Sequence, residues 1–207
     1  MRITPVLERF FSLPSDQQID PPIAAHFRRN FLVNAGDGIS WLFGDSFVSI
    51  VTILPVYART LTDSTLIIGL IPALTNAGWF LPQLFMAPYV EGLPRKLPAT
   101  RLLAAVERAP FLVMSLAALW LADLPAPIAL AVFLTLVSWR GIASGLVALP
   151  WQELIATVIP LSHRGRFFGF SHLTGQFLGV GGAALAVWVL GHLSYPHNYA
   201  LTFGIGF

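Results

Sequence analysis

The feature that most limits how this chain can fold is the recurrence of long apolar segments. About 20 apolar residues in a helix cross the hydrocarbon of a bilayer. Runs near that length fall at 31–57, 64–90, 100–121, 125–153 and 166–190 of a 207-residue chain. The connectors between them hold breakers, among them Pro98, Pro125, Pro127, Pro160 and Pro196. Charged residues make up 11% of the chain, against about 25% in ordinary soluble domains. That is too few to clothe a water-facing globule, so lipid is the expected solvent. The predicted fold class is all-α: a polytopic membrane protein built as a helical bundle. Pro72 and Pro82 inside the second segment predict kinks, and Pro150 predicts a bend near the end of the fourth.

The first segment carries Asn34, Asp37, Trp41, Asp45, Ser49 and Thr52, each three or four residues after the last. In a helix that spacing puts them on one face. Carboxylates at bilayer depth are costly against lipid, so this stripe is expected to face a bundle interior or a watered cavity. Arg140 lies about thirteen residues, or about 20 Å, from the cytoplasmic end of the fourth segment. Asp45 lies at nearly the same depth in the first. The two are expected to face one cavity, paired when it is empty and competing with a solute when it is loaded. A purely structural ion pair is the plain alternative.

Several classes are disfavoured. Zero cysteines exclude disulfides and thiolate metal sites, and neither a metal nor another cofactor is expected. A net charge of +2 on such apolar segments does not suggest nucleic acid. The polar, Pro-containing stretch 1–30 lacks the apolar core of a cleavable signal peptide and reads as a cytoplasmic tail. Within it, 4–11 reads as a loose tail or a short amphipathic surface helix. Nine basic residues (Arg2, Arg9, Arg28, Arg29, Arg95, Lys96, Arg101, Arg164 and Arg166) fall on one side of the segments, and Arg59 alone on the other. By the positive-inside rule the N-terminus is cytoplasmic, in a cell (inner) membrane. A sixth apolar segment, 198–207, reaches about 15 Å, half the hydrocarbon thickness of about 30 Å. The expected reading is five full spans plus a partial sixth, in a fragment cut inside its sixth helix.

Topology and two motifs together resemble the N-terminal six-helix half of a major facilitator superfamily transporter. That family carries Gly-x-x-x-Asp-Arg-x-Gly-Arg-Lys between spans two and three. Here Ala87-Pro88-Tyr89-Val90-Glu91-Gly92-Leu93-Pro94-Arg95-Lys96 keeps the acid, as Glu91, and the terminal basic pair. The stretch Pro150-Trp151-Gln152-Glu153, then Ile159-Pro160, then Arg164-Gly165-Arg166-Phe167-Phe168-Gly169 is similar to the fourth-to-fifth-helix region of bacterial members. Gly175, Gly179, Gly181 and Gly182 resemble the glycine-rich motif of the family's antiporters. Val180 stands where that motif has Pro, so antiport is not carried over. The resemblance implies two six-helix bundles rocking about a central site, with helices one and four lining the cavity. It implies a secondary transporter of a small solute, needing a second bundle absent from this sequence.

The remaining candidates have two readings each. Asp37 is either a proton-coupling carboxylate or a hydrated residue near the cytoplasmic mouth, with Asn34 beside it. Trp41 either stacks on solute or packs. Glu91, Arg95 and Lys96 form either a cytoplasmic latch or a simple positive-inside loop, and Glu153 is either a gate partner for that loop or a solvated helix end. Arg108, next to Glu107, is expected to snorkel to the interface, and Arg164 and Arg166 to hold headgroups. Gly175, Gly179 and Gly182 suit close helix packing. An enzyme reading rests on Gly141-Ile142-Ala143-Ser144-Gly145, which resembles the Gly-x-Ser-Gly of rhomboid intramembrane proteases, with Ser144 as nucleophile; in the transport reading Ser144, one turn from Arg140, is expected on the wall of the same cavity. A non-transporting membrane scaffold is a third class, though one with no need of buried carboxylates.

Overall fold

The structure is a computed structural model that describes residues 10–13 and 19–207. Among the described residues the elements are helices and no strand occurs. Span 1 comes in two pieces, α1 (Pro21–Asp45) and α2 (Ile53–Arg59), with a 3-10 turn at Ser46–Val48 between them. Span 2 is α3 (Thr65–Glu91), span 3 is α4 (Lys96–Leu121), span 4 is α5 (Ala126–Val158) and span 5 is α6 (Leu161–His192). A short helix, α7 (His197–Gly206), follows. Spans 1 to 5 are each long and apolar enough to cross a membrane, which makes this an all-α, multi-pass membrane protein. Leu66, Phe85, Leu173 and Phe177 stand 76–78% exposed on the outside of the bundle, as lipid-facing side chains do. Polar side chains within the spans satisfy themselves on their own helix. Thr75, Gln83, Thr135 and Ser138 each donate to the carbonyl four residues back, at 2.7–2.9 Å.

The helices overrun the expected spans. α1 starts at Pro21, ten residues before 31, so 21–30 belong to the first helix and not to a tail. Two prolines open it, where a missing N–H costs nothing, and Phe27 and Phe31 are buried against Phe167, Ile155 and Ile159. α5 runs through Pro150 to Val158. Its 33 residues reach about 50 Å, well past the hydrocarbon of about 30 Å. α6 starts right after Pro160, at Leu161, five residues before 166. The tail or surface helix expected over 4–11 lies, up to residue 9, outside the described residues. Phe10 and Phe11 themselves meet Phe31 edge-on, at 5.5 and 5.3 Å.

Span 1 is not the continuous helix its polar stripe predicts. It breaks after Asp45, and Ser49 and Thr52 fall in the break, off the face they were expected to share. Two local causes are visible. Ser46 turns its hydroxyl back onto the Phe43 carbonyl at 2.6 Å. The run Ile50-Val51-Thr52-Ile53 is β-branched throughout, which is poor helix material.

The helix pairing has an internal regularity. Span 2 packs on span 4, and span 5 packs on span 1; span 3 packs on span 4, and α7 packs on span 1; spans 1 and 4 touch, as do span 3 and α7. Exchanging spans 1, 2 and 3 with span 4, span 5 and α7 leaves that set unchanged. The lesser contacts of α2 with α3 and of α6 with α7 fall outside it. The two equivalent seams, span 2 on 4 and span 5 on 1, are both closed by glycine. A Cβ on Gly78 would stand 2.6 Å from the Gly141 carbonyl carbon, and one on Gly175 would stand 2.5 Å from Leu42 Cδ1. Gly182 likewise packs against Phe43, Ser46 and Phe47. Small residues let helices approach in this way where water supplies no hydrophobic drive between them.

Candidate functional site

Two apolar clusters bracket a polar layer. At one end Phe47, Leu54, Tyr57, Phe133 and Phe203 are almost wholly buried, with Tyr57 edge-on to Phe133, Tyr199 and Phe203 at 4.8–5.4 Å. At the other end lies the cluster around Phe31 and Phe167. The residues between them on α1, α4 and α5 carry the charges.

Along α1, Asp37, Trp41 and Asp45 stand one turn apart, and each finds its own partner on another span. Arg108 donates from Nη2 to Asp37 Oδ1 at 3.2 Å. Trp41 Nε1 donates to Glu107 Oε1 at 3.1 Å, and Ser144 Oγ donates to the same oxygen at 2.7 Å. Arg140 donates from Nη2 to Asp45 Oδ1, with its guanidinium 5.4 Å from the Phe111 ring centroid. Spans 1, 3 and 4 are thus tied by four polar contacts, set in helices whose outer faces are apolar. Arg140 is fourteen residues, about 21 Å, into a helix about 50 Å long, a depth where an unpaired charge is expensive.

Beside these links lies a cavity of about 550 Å³ between spans 1 to 5. Asp37, Trp41, Trp79, Glu107 and Arg108 form part of its wall, Ser171 and Phe168 another part, and Trp151 to Glu153 with Arg164 its rim. Gln152, Glu153 and His172 are exposed, so it opens at the end of the bundle where α5 passes to α6. The Ser171 hydroxyl is buried there with no hydrogen-bond partner among the described residues.

Of the residues expected to line one cavity, Asp37 and Trp41 do, joined at the rim by Glu153. Asp45 and Arg140 are not on that wall. They meet each other one turn deeper, where the Arg140 side chain is 6% exposed and that of Asp45 32%. Ser144 touches the wall only through Glu107, and Asn34 donates to Asn30 O of its own helix at 2.7 Å. Glu91 and Arg95 are exposed, and among the described residues no ion pair joins Glu91 to Arg95, Lys96 or Glu153. The reason is local: the Lys96 ammonium turns onto the Val90 carbonyl and closes the end of α3. Arg108 does not snorkel, because Asp37 is within reach. Arg164 donates to Ile159 O and Ala156 O, at 3.2 and 2.7 Å, and so closes the end of α5. Gly141 and Gly145, flanking Ser144, pack against span 2.

Glu107 is the residue that sequence reasoning passed over. It is 4% exposed and sits at the centre of the network. The sequence shows it only as the neighbour of a snorkelling Arg108, yet adjacent helical residues point about 100° apart and do not face each other. The signal was its spacing: Glu107, Phe111, Met114 and Ala118 follow helical periodicity, and all four are buried. Among the described residues no three His, Cys, Asp or Glu converge as a metal site would require. Compared with known proteins, the chain matches no family model, no curated protein and no solved structure.

Proposed function

We propose that this chain is one six-helix bundle of a secondary transporter of the major facilitator type, moving a small solute across a cell membrane by alternating access. The observation that carries the reading is the pairing pattern that survives exchange of the first three spans for the next three, with a cavity at the meeting of the halves. Inverted three-helix repeats around a midplane site are how such transporters are built. The break in span 1 beside Asp45 supports the same reading, since discontinuous helices mark their ion and solute sites. With the N-terminus cytoplasmic, the cavity faces inward while the Tyr57 cluster seals the outer end. A second bundle completes the pathway, and Asp45–Arg140 acts as the strut between spans 1 and 4 that must adjust when the bundles rock.

The chain has no native cysteine, so single-cysteine labelling reads accessibility without background. In inverted vesicles, Ala104→Cys on the cavity wall is expected to react with a membrane-impermeant maleimide. In right-side-out vesicles it is expected to react slowly, and Ser194→Cys in the opposite connector quickly. Equal reaction of Ala104→Cys from both faces would indicate a channel, and labelling of both positions from one face would refute the topology. A solute panel that changes the Ala104→Cys rate then points to what is carried.

A further inference from the structure

The charges around the cavity do not balance, and the imbalance names a substrate class. Arg108 is held by Asp37, and Arg164 is held by two backbone carbonyls. Glu153 stands exposed at the rim and meets no cation among the described residues. Glu107 is nine-tenths buried on the inner wall, and both of its hydrogen bonds come from neutral donors to one oxygen. Its second oxygen has no partner among the described residues. Trp41, Trp79, Trp151 and Phe168 line the same cavity. A buried carboxylate in a cavity lined by three indole rings, where Asp37, Glu107 and Glu153 outnumber Arg108 and Arg164, suits an organic cation through opposite charge and the ring quadrupole together. An anion would face that excess of negative charge, and a neutral solute would draw nothing from it. The volume, about 550 Å³, lies within the range of about 300–1,000 Å³ that small-molecule sites occupy.

We infer that the cavity binds amphipathic organic monocations, with Glu107 as the counter-charge and the three tryptophans as its walls. This names the solute class for the transport reading above and rests on that reading, but its test does not pass through transport. The full chain is placed in phosphatidylcholine nanodiscs, and its tryptophan fluorescence is titrated with tetraphenylphosphonium, with uncharged triphenylphosphine oxide and with anionic tetraphenylborate. Saturable quenching by the cation is expected, at least about tenfold tighter than by either analogue, equivalent to about 1.4 kcal/mol. Glu107→Gln is expected to weaken the cation by about tenfold or more and to leave the oxide within about twofold, while Glu107→Asp restores part of the loss.

The wild-type comparison of three probes decides the matter even if Glu107→Gln fails to fold. The proposal is overturned if the cation quenches no more than in empty nanodiscs, if the oxide or the borate binds as tightly, or if folded Glu107→Gln keeps the wild-type affinity. Sided cysteine labelling with no cation binding removes this proposal and leaves the transport reading. Cation binding without sided labelling does the reverse.

Discussion

Breaking the Asp45–Arg140 pair from its two ends should give unequal costs. Removing one partner of a buried pair costs about 3–5 kcal/mol, because a charge is left behind. Which charge is left matters here. Asp45→Ala leaves the Arg140 guanidinium, whose side chain is 6% exposed over the Phe111 ring, so about 3–5 kcal/mol applies. Arg140→Met leaves Asp45, whose side chain is 32% exposed and partly hydrated, and puts an apolar chain of similar length in the buried slot. That discount brings the cost to about 1–2 kcal/mol. The double variant leaves no charge and should cost about 2–4 kcal/mol, less than the sum of the singles by about 2–3 kcal/mol. Unfolding free energies in mixed micelles, for the wild type and the three variants, test this. Additive costs, or an Arg140→Met that hurts as much as Asp45→Ala, would refute the reasoning that burial of the orphaned charge sets the scale.

Three further outcomes follow from the same structure, besides the sided labelling and cation titrations above. Gly141→Ala would drive a Cβ to 2.9 Å from the Thr75 backbone and should cost about 1–3 kcal/mol, read as a lowered thermal midpoint. Gly69→Ala, with nothing within 4 Å, should instead gain up to about 1 kcal/mol from helix propensity. Arg108→Gln should cost under about 1 kcal/mol, since its pair with Asp37 is 27% and 50% exposed and screened by water; a cost that persists in high salt would contradict that.

Much of the fold was legible because bilayer physics is severe. Length and hydropathy located all five spans, and the depth of Arg140 and Asp45 marked two residues that in fact touch. What escaped reading has physical causes. The helix ends at Pro21, Val158 and Leu161 are decided by buried phenylalanines and a carbonyl-capping arginine, which hydropathy does not register. The interruption of span 1 was hidden because its residues are as apolar as a helix, and only their β-branching spoke against one. Glu107 was masked by Arg108 beside it, and the cavity wall could not be told from the layer behind it. Helical spacing places Asp37, Trp41 and Asp45 on one face; it does not say whether the next turn of that face meets open space or a guanidinium.

The place of that guanidinium also explains why span 1 can break where it does. Asp45 is the last residue of α1, so its carboxylate sits at the negative end of a helix dipole, an unfavourable position that costs a few tenths to about 1 kcal/mol on its own. At the break the last carbonyls of α1 are met locally, the Ser46 N–H and hydroxyl turning back onto Phe43 and Gly44. Arg140, bonded to Asp45, brings a positive charge to that end and offsets that cost. Span 4 is an unbroken helix across the contact, held tightly to span 2 by Gly141 and Gly145, so it presents the guanidinium on a rigid support. A rigid span carrying the cation and a divided span carrying the anion are unequal partners: any movement of the pair has to be absorbed by span 1, at the turn between Ser46 and Ile53.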